Sequence, residues 1–214
     1  MHKILSNILI IICCLMTNKD GWSQENTATD ILNKISEKTG SYKDITAEFS
    51  YIYSKNNNEE FLTGVIYIKE DKYKLEMSDN LYVFNNGSTI WYVMEDLQEI
   101  QIVNNDDESS ELSPSKIFTI YETGYNHEYI EEIRTKNKTI HHINLTPDNE
   151  ESIKNIKIYI DGDKLEIETL IIYDLEGGIT KYIISEFIPD SNIENQIFNL
   201  DIEDYKNMEI IDLR

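Results

Sequence analysis

Cysteine is nearly absent from this chain. Two occur in 214 residues, Cys13 and Cys14, side by side near the start. Past them no thiol is left for a disulfide framework, a thiolate nucleophile or a cysteine-bound metal. Basic charge is scarce too: 19 Lys and Arg stand against 40 Asp and Glu, the net charge is −21, and Arg134 and Arg214 are the only arginines. Neutralising phosphates needs basic side chains, which excludes a nucleic-acid partner. Anionic membranes recruit basic clusters of the kind missing here, and the acidity itself reads first as solubility. Only three prolines and eight glycines occur. They do not gather into a linker, so residues 24–214 read as one domain. No segment repeats at a solenoid period. There is no Gly-x-Ser-x-Gly elbow, phosphate loop or dinucleotide fingerprint, and no serine sits in a nucleophile context. The chain reads as a binding protein rather than an enzyme, with no cofactor.

The one long apolar run covers residues 4–16. It is too short for a transmembrane helix and suits the apolar region of a signal peptide, with Lys3 before it. Gly21 and Ser23 supply the small residues of a cleavage site. Residues 1–23 therefore read as a signal peptide and Gln24 as the mature terminus. A rival reading cleaves before Cys13 or Cys14 and lipidates the new terminus. Ile12 and Cys13 are poor matches for the small residue that a lipobox places there. Both readings export the protein.

What remains is rich in β signals. Thr27 or Thr29 caps an expected helix that carries Ile31, Leu32 and Ile35 at helical spacing and stops at Gly40. The apolar period then changes from 3.6 to 2 at residues 47–53. Strands are expected at residues 65–68, 73–77, 81–84, 90–94 and 99–103, with turns at Asn56-Asn57-Asn58, at residues 69–72 and at Asn85-Asn86-Gly87. Ser113-Pro114 reads as the cap and first position of a second helix through Ile117, Phe118, Ile120 and Tyr121. Strands resume at residues 129–134, 139–145, 156–160, 165–173 and 179–187, before Phe198-Asn199-Leu200 and a last stretch at 208–213. About ten or eleven strands and two helices follow. Tight turns imply an antiparallel sheet, and one this wide curls. The expected fold is mainly β: a curled, incomplete half-barrel whose concave side is plugged by short helices.

Polar constellations carry little chemistry. His141 and His142 are neighbours on a strand and point to opposite faces, and His127 has no third ligand beside it, so no metal site is expected. Asp161-Gly162-Asp163 lacks the full calcium-loop pattern and reads as a hairpin turn. The acidic runs near residues 106–108, 131–132 and 148–151 read as solvated loops; nothing sets the carboxylate separation that a glycosidase needs. The positive signal is apolar surplus, with 36 isoleucines and 14 tyrosines. Several strands are apolar on both alternating faces. That fits either a covered sheet or a hydrophobic cavity.

Several segments, in order and spacing, resemble one family. They are Ile45-Thr46-Ala47-Glu48-Phe49-Ser50, Gly64-Val65-Ile66-Tyr67-Ile68-Lys69, and Asn86-Gly87-Ser88-Thr89-Ile90-Trp91-Tyr92 followed by Leu97-Gln98-Glu99-Ile100. Ser113-Pro114-Ser115-Lys116-Ile117-Phe118, Ile143-Asn144-Leu145-Thr146-Pro147 and Phe198-Asn199-Leu200 complete the set. Over residues 30–213 the chain resembles the LolA family, periplasmic carriers of outer-membrane lipoproteins. The resemblance implies a monomer in the periplasm that shuttles acylated lipoproteins from an inner-membrane ABC-type lipoprotein-releasing transporter toward an outer-membrane acceptor. An alternative on the same scaffold is a membrane-anchored acceptor or a lipid-sensing regulator. The apolar residues expected to line the cavity are Phe49, Tyr51, Ile66, Ile68, Leu75, Met77, Trp91 and Val93, with Ile117 and Ile120 on the second helix. Many relatives place Lys-Arg-Pro after the Gly-x-Leu strand, and that Arg couples lid opening to release. Here the positions read Lys69-Glu70-Asp71, so that contact does not carry over.

Overall fold

The computed structural model describes residues 20–105, 117–149 and 152–214. One long α-helix, α1 (Asp20–Gly40), precedes twelve strands. The first meander is β1 (Ile45–Lys55), β2 (Asn58–Lys69), β3 (Lys72–Met77), β4 (Leu81–Asn85), β5 (Thr89–Met94) and β6 (Glu99–Asn104). The second is β7 (Tyr125–Arg134), β8 (Thr139–Pro147), β9 (Ile153–Asp161), β10 (Glu166–Asp174) and β11 (Ile179–Pro189). The last strand is β12 (Glu209–Asp212). All twelve join one open, curled sheet in the order β12-β6-β5-β4-β3-β2-β1-β11-β10-β9-β8-β7. The meanders meet at a central seam, where Ile45 pairs with Pro189 and Ser54 with Ile179. The sheet is antiparallel as expected, apart from β12, which runs parallel to β6.

The turns form where local chemistry demands them. Asn56 and Asn57 adopt left-handed φ of 52° and 65° between β1 and β2. At the β4–β5 turn Gly87 takes φ of 90°, a conformation that costs glycine little. The Asn86 carboxamide oxygen accepts from the backbone N–H of Ser88 at 3.0 Å and of Thr89 at 2.9 Å. Asp161 closes the β9–β10 hairpin by accepting from the N–H of Asp163 and Lys164.

Registers across the ladders sort the side chains into two faces. Ala47, Ile66, Leu75 and Val83 lie in line across β1–β4. Leu145, Ile156 and Ile172 do so across β8–β10. This is the inner face. Over its β8–β10 half lie Ala28, Ile31, Leu32 and Ile35 of α1, with Ile117, Ile120 and Tyr121. The opposite face is mixed over β8–β11, with Asn144, Lys157 and Lys181 beside Tyr159, Ile171 and Ile183. Over β4–β6 it is apolar and has its own small core, where Phe84, Val93, Ile100 and Ile102 pack against Leu200, Tyr205 and Met208.

Three expectations change. The helix starts at Asp20 rather than near Thr29, because Thr27 and Thr29 are tolerated inside a helix once no proline interrupts it. The second helix is not seen among the described residues. Ile117 and Phe118 form a single 3-10 turn, and the expected cap at Ser113-Pro114 lies outside them, as does the apolar run at 4–16. Phe198-Asn199-Leu200 is not a strand. Phe198 ends a 3-10 turn (Asn195–Phe198) and is fully buried; the segment serves as an anchor and does not pair.

Candidate functional site

Among the described residues, one helix and a short turn cover the inner face of the open sheet. The inner face has two chemically different halves. Over β8–β10 it is aliphatic and sealed: Ile143, Leu145, Ile156, Ile158 and Ile160 are each 0% exposed. Around the central seam it is aromatic. Tyr182 stands between Phe49 and Tyr51, with ring centroids 5.9 and 5.5 Å apart. Phe118 meets Phe187 edge-on at 5.7 Å, and Tyr42 meets the same ring at 6.0 Å. Burial pushes the Tyr182 phenol up to about 12, helped by the nearby Tyr51. Burial raises the Tyr51 phenol as well. Both rings stay neutral at any physiological pH and act as apolar surface with a polar edge.

Six of the residues expected in the cavity share this aromatic half. Phe49 and Tyr51 on β1, Ile66 and Ile68 on β2, and Leu75 and Met77 on β3 belong to one inner-face cluster. Trp91 and Val93 do not join them. Pairing of Tyr92 with Val83 and Ile90 with Asn85 turns Ile90, Tyr92 and Met94 inward. Trp91 and Val93 therefore face the other way, into the small core under the C-terminal segment. Every position of β5 is apolar apart from Thr89, so alternation alone could not choose between the faces. Ile117 and Ile120 are buried beneath α1, on a turn and not on the expected helix. Sequence reading missed Tyr182, Ile184 and Phe187 on β11, which border the same cluster. Between the Glu48–Glu186 and Phe49–Ile184 pairs the register shifts, and Ser185 is the extra residue of a bulge on β11. The period-2 signal ran through the bulge without revealing it.

Polar bonds tie α1 to its surroundings. Ser36 of α1 donates to Glu122, and the Lys38 ammonium reaches the Lys164 carbonyl and, at 3.3 Å, the Glu166 carboxylate. Burial works against the Lys38 charge, but the contacts with Tyr42 and Glu166 prevail and raise its pKa. The Tyr121 hydroxyl is buried in the same interface, beside Thr39 of α1.

At the C-terminal end of α1 the groove between helix and sheet opens into a hollow of ≈ 470 Å³, lined by Thr39, Tyr42, Ile45, Ile68, Glu70 and Phe118 among others. A second hollow of ≈ 580 Å³ adjoins it and shares Tyr42, Asp44 and Glu70; Lys69 and Asn192 border it. Glu70, with φ of 56°, sits in the β2–β3 turn at both openings. Glu70 thus stands at the mouth of the groove. Asp44 is buried beside it and accepts from the Ile193 N–H at 3.1 Å and the Ser191 hydroxyl at 3.0 Å, which ties the chain after β11 to the start of β1. His141 and His142 lie on opposite faces. The first hydrogen-bonds the Tyr129 hydroxyl at 3.0 Å, and the second stacks on Tyr159 at 4.6 Å. Among the described residues no group of His, Cys, Asp and Glu is arranged to hold a metal.

Comparison with known proteins places this geometry. Among curated proteins, none matches the chain. Solved structures do. An uncharacterized conserved protein of Thermus thermophilus superposes with a TM-score of 0.57 at 10% identity, over 87% of this chain and 99% of the other. The Mycobacterium tuberculosis lipoprotein LppX gives 0.49 at 11% identity, over 79% and 98%. A LolA superfamily protein of Nitrosomonas europaea gives 0.44 at 10%, over 81% and 98%. At such identities the Thermus likeness speaks for the fold alone. The model of the family described as outer membrane lipoprotein carrier protein LolA matches residues 41–201, from just after α1 through the 3-10 turn at Asn195–Phe198, and the chain belongs to that family.

Proposed function

We propose that this protein is a periplasmic carrier that takes the acyl chains of lipoproteins onto its inner sheet face and moves them between membranes. What carries the reading is the cover of that face: one helix and one short turn over a continuous apolar surface, in a chain of the LolA family. Each buried CH₂ is worth about 0.8 kcal/mol, so a chain of roughly sixteen carbons costs on the order of 12 kcal/mol to expose to water. Unassisted transit is negligible at that cost. A carrier must offer apolar surface that is hidden when empty and open when loaded. Displacing α1 and the Ile117–Tyr121 turn would trade helix–sheet contacts for acyl–sheet contacts of the same kind. The aromatic half is the entry, next to the hollow at Tyr42 and Phe118, and Phe49, Tyr51, Ile66, Ile68, Leu75 and Met77 contact the cargo. The donor is an inner-membrane ABC-type lipoprotein-releasing transporter, the recipient an outer-membrane acceptor, and the carrier works as a monomer without enzymatic activity. Glu70 at the mouth implies a release contact different from that of the arginine-bearing relatives.

Mass spectrometry of the protein from its native compartment, intact and after organic extraction, reads its terminus and its cargo together. An unmodified terminus near Gln24 with a bound lipoprotein is expected. A diacylglyceryl terminus on Cys13 or Cys14 would replace the shuttle with an anchored acceptor. Free lipid alone would move the function to another apolar ligand on this fold.

A further inference from the structure

The two edges of the sheet are treated differently. At one, β12 covers β6 along residues 99–102. At the other, β7 ends the sheet over ten residues. Among the described residues, the backbone of residues 126–134 makes no hydrogen bond outside its ladder with β8. Alternate N–H and C=O groups of β7 therefore point outward unpaired. The strand is also open on both faces: residues 130–134 are all exposed, with Ile130 at 40% and Ile133 at 36%. An edge of this length is a template for one more strand.

Charge decides what that strand is. Glu128 pairs across the ladder with Asn144 and Glu131 with His142, so the bulge between Tyr129 and Glu131 brings both carboxylates to the outer face at successive outward positions. Glu131 lies 3.5 Å from the His142 imidazole, Glu132 is engaged by Arg134, and Glu128 has no ion pair among the described residues. A second copy is a poor occupant. Two-fold pairing centred on the bulge sets Glu128 against Glu131 on the outer face, and like charges directly opposite destabilise a ladder. Each copy also brings a net charge of −21. A strand with cations at alternate positions meets Glu128 and Glu131 on the outer face, where Ile133 also lies, and sets its other side chains beside Tyr129, Glu132 and Arg134.

We propose that β7 is a strand-addition site for an extended, lysine- or arginine-bearing segment of a partner protein. The segment bonds the free backbone of residues 128–134 and sets its cations against Glu128 and Glu131. Tyr125 and Tyr129 of the same strand pack into the core under α1, so the occupant lies beside the helix that covers the inner face.

The test uses the full mature chain and a peptide of about ten residues alternating lysine with threonine. A second peptide is N-methylated at alternate backbone nitrogens, and a third carries glutamate for lysine. Binding is followed by calorimetry and by amide exchange. The lysine peptide is expected to bind and to slow exchange at residues 128–134. N-methylation is expected to weaken it about tenfold or more, since the edge bonds are lost while the charge stays. E128K/E131K, both at exposed positions, is expected to reverse the preference toward the glutamate peptide. Equal binding of the N-methylated peptide, protection elsewhere than β7, or a dimer of the free protein with β7 protected would each overturn the proposal. The N-methylated arm needs no variant, so it stands even if E128K/E131K folds poorly.

Discussion

Gly64 marks the tightest point of the inner face. A Cβ there would lie 2.7 Å from Met77 Sδ and from Phe49 Cζ, and 3.1 Å from the Glu76 carbonyl oxygen. The first two are ends of side chains and can shift, but the third is backbone. Gly64→Val is expected to lose about 1–3 kcal/mol, the usual cost of overpacking, and urea unfolding measures it. Asp161 governs a pH response. Burial alone would disfavour its charge, yet the N–H groups of Lys164 and Asp163 and the Lys138 ammonium hold its carboxyl below the usual carboxylate range. A group depressed on folding stabilises fully above its unfolded value, about pH 4, and that contribution is lost as pH falls through the lower folded value. Unfolding curves from pH 7 to acid should show this loss in the parent chain. Asp161→Asn should be less stable at pH 7 and converge with the parent at the acid end; parallel curves would remove Asp161 from the account. At this scale turn residues were legible from sequence, because Asn, Asp and Gly act locally. The face of Trp91 was not, because it depends on pairing with β4.

At the scale of elements, two covers close the two apolar regions of one sheet. α1 closes the aliphatic half of the inner face. Bridging S36C to E122C with a short bis-maleimide would fix the helix to the Ile117–Tyr121 side. The bridged protein is expected to lose binding of a fluorescent fatty acid, and the unbridged double variant to keep it; retained binding would show that α1 does not move. The C-terminal segment closes the other face. Phe198→Ala removes a fully buried ring from it and is expected to cost about 3–5 kcal/mol. A loss that large should also raise dye binding to the uncovered Phe84 and Val93 region. Strand identity was readable wherever period 2 ran for several residues between turn signals. Helix starts and the Phe198 turn were not, since the first depends on the absence of a competing stop and the second on an anchor contact far along the chain.

For the molecule as a whole, the half-barrel was legible because successive hairpins leave little choice but an antiparallel sheet. The parallel β12 and the order of the two meanders follow from contacts that no local pattern encodes. With a net charge of −21, self-repulsion weakens the compact state, so the melting temperature is expected to rise as salt is increased from about 10 to 150 mM. A flat or falling response would mean that paired charges outweigh the repulsion. The seam between the meanders has a consequence for the order of events in folding. The partners of β1 in β11 are among the last strands to be synthesised, and β12 follows them. Local hairpins form early, but the sheet becomes one body only after nearly the whole chain is available. Such long-range pairing places refolding on a timescale of about milliseconds to seconds. Until the seam closes, the chain holds two separate hairpin ribbons: the one from β7 to β11 already carries the aliphatic surface that α1 covers, while the aromatic half, which needs β1–β3 beside β11, does not yet exist.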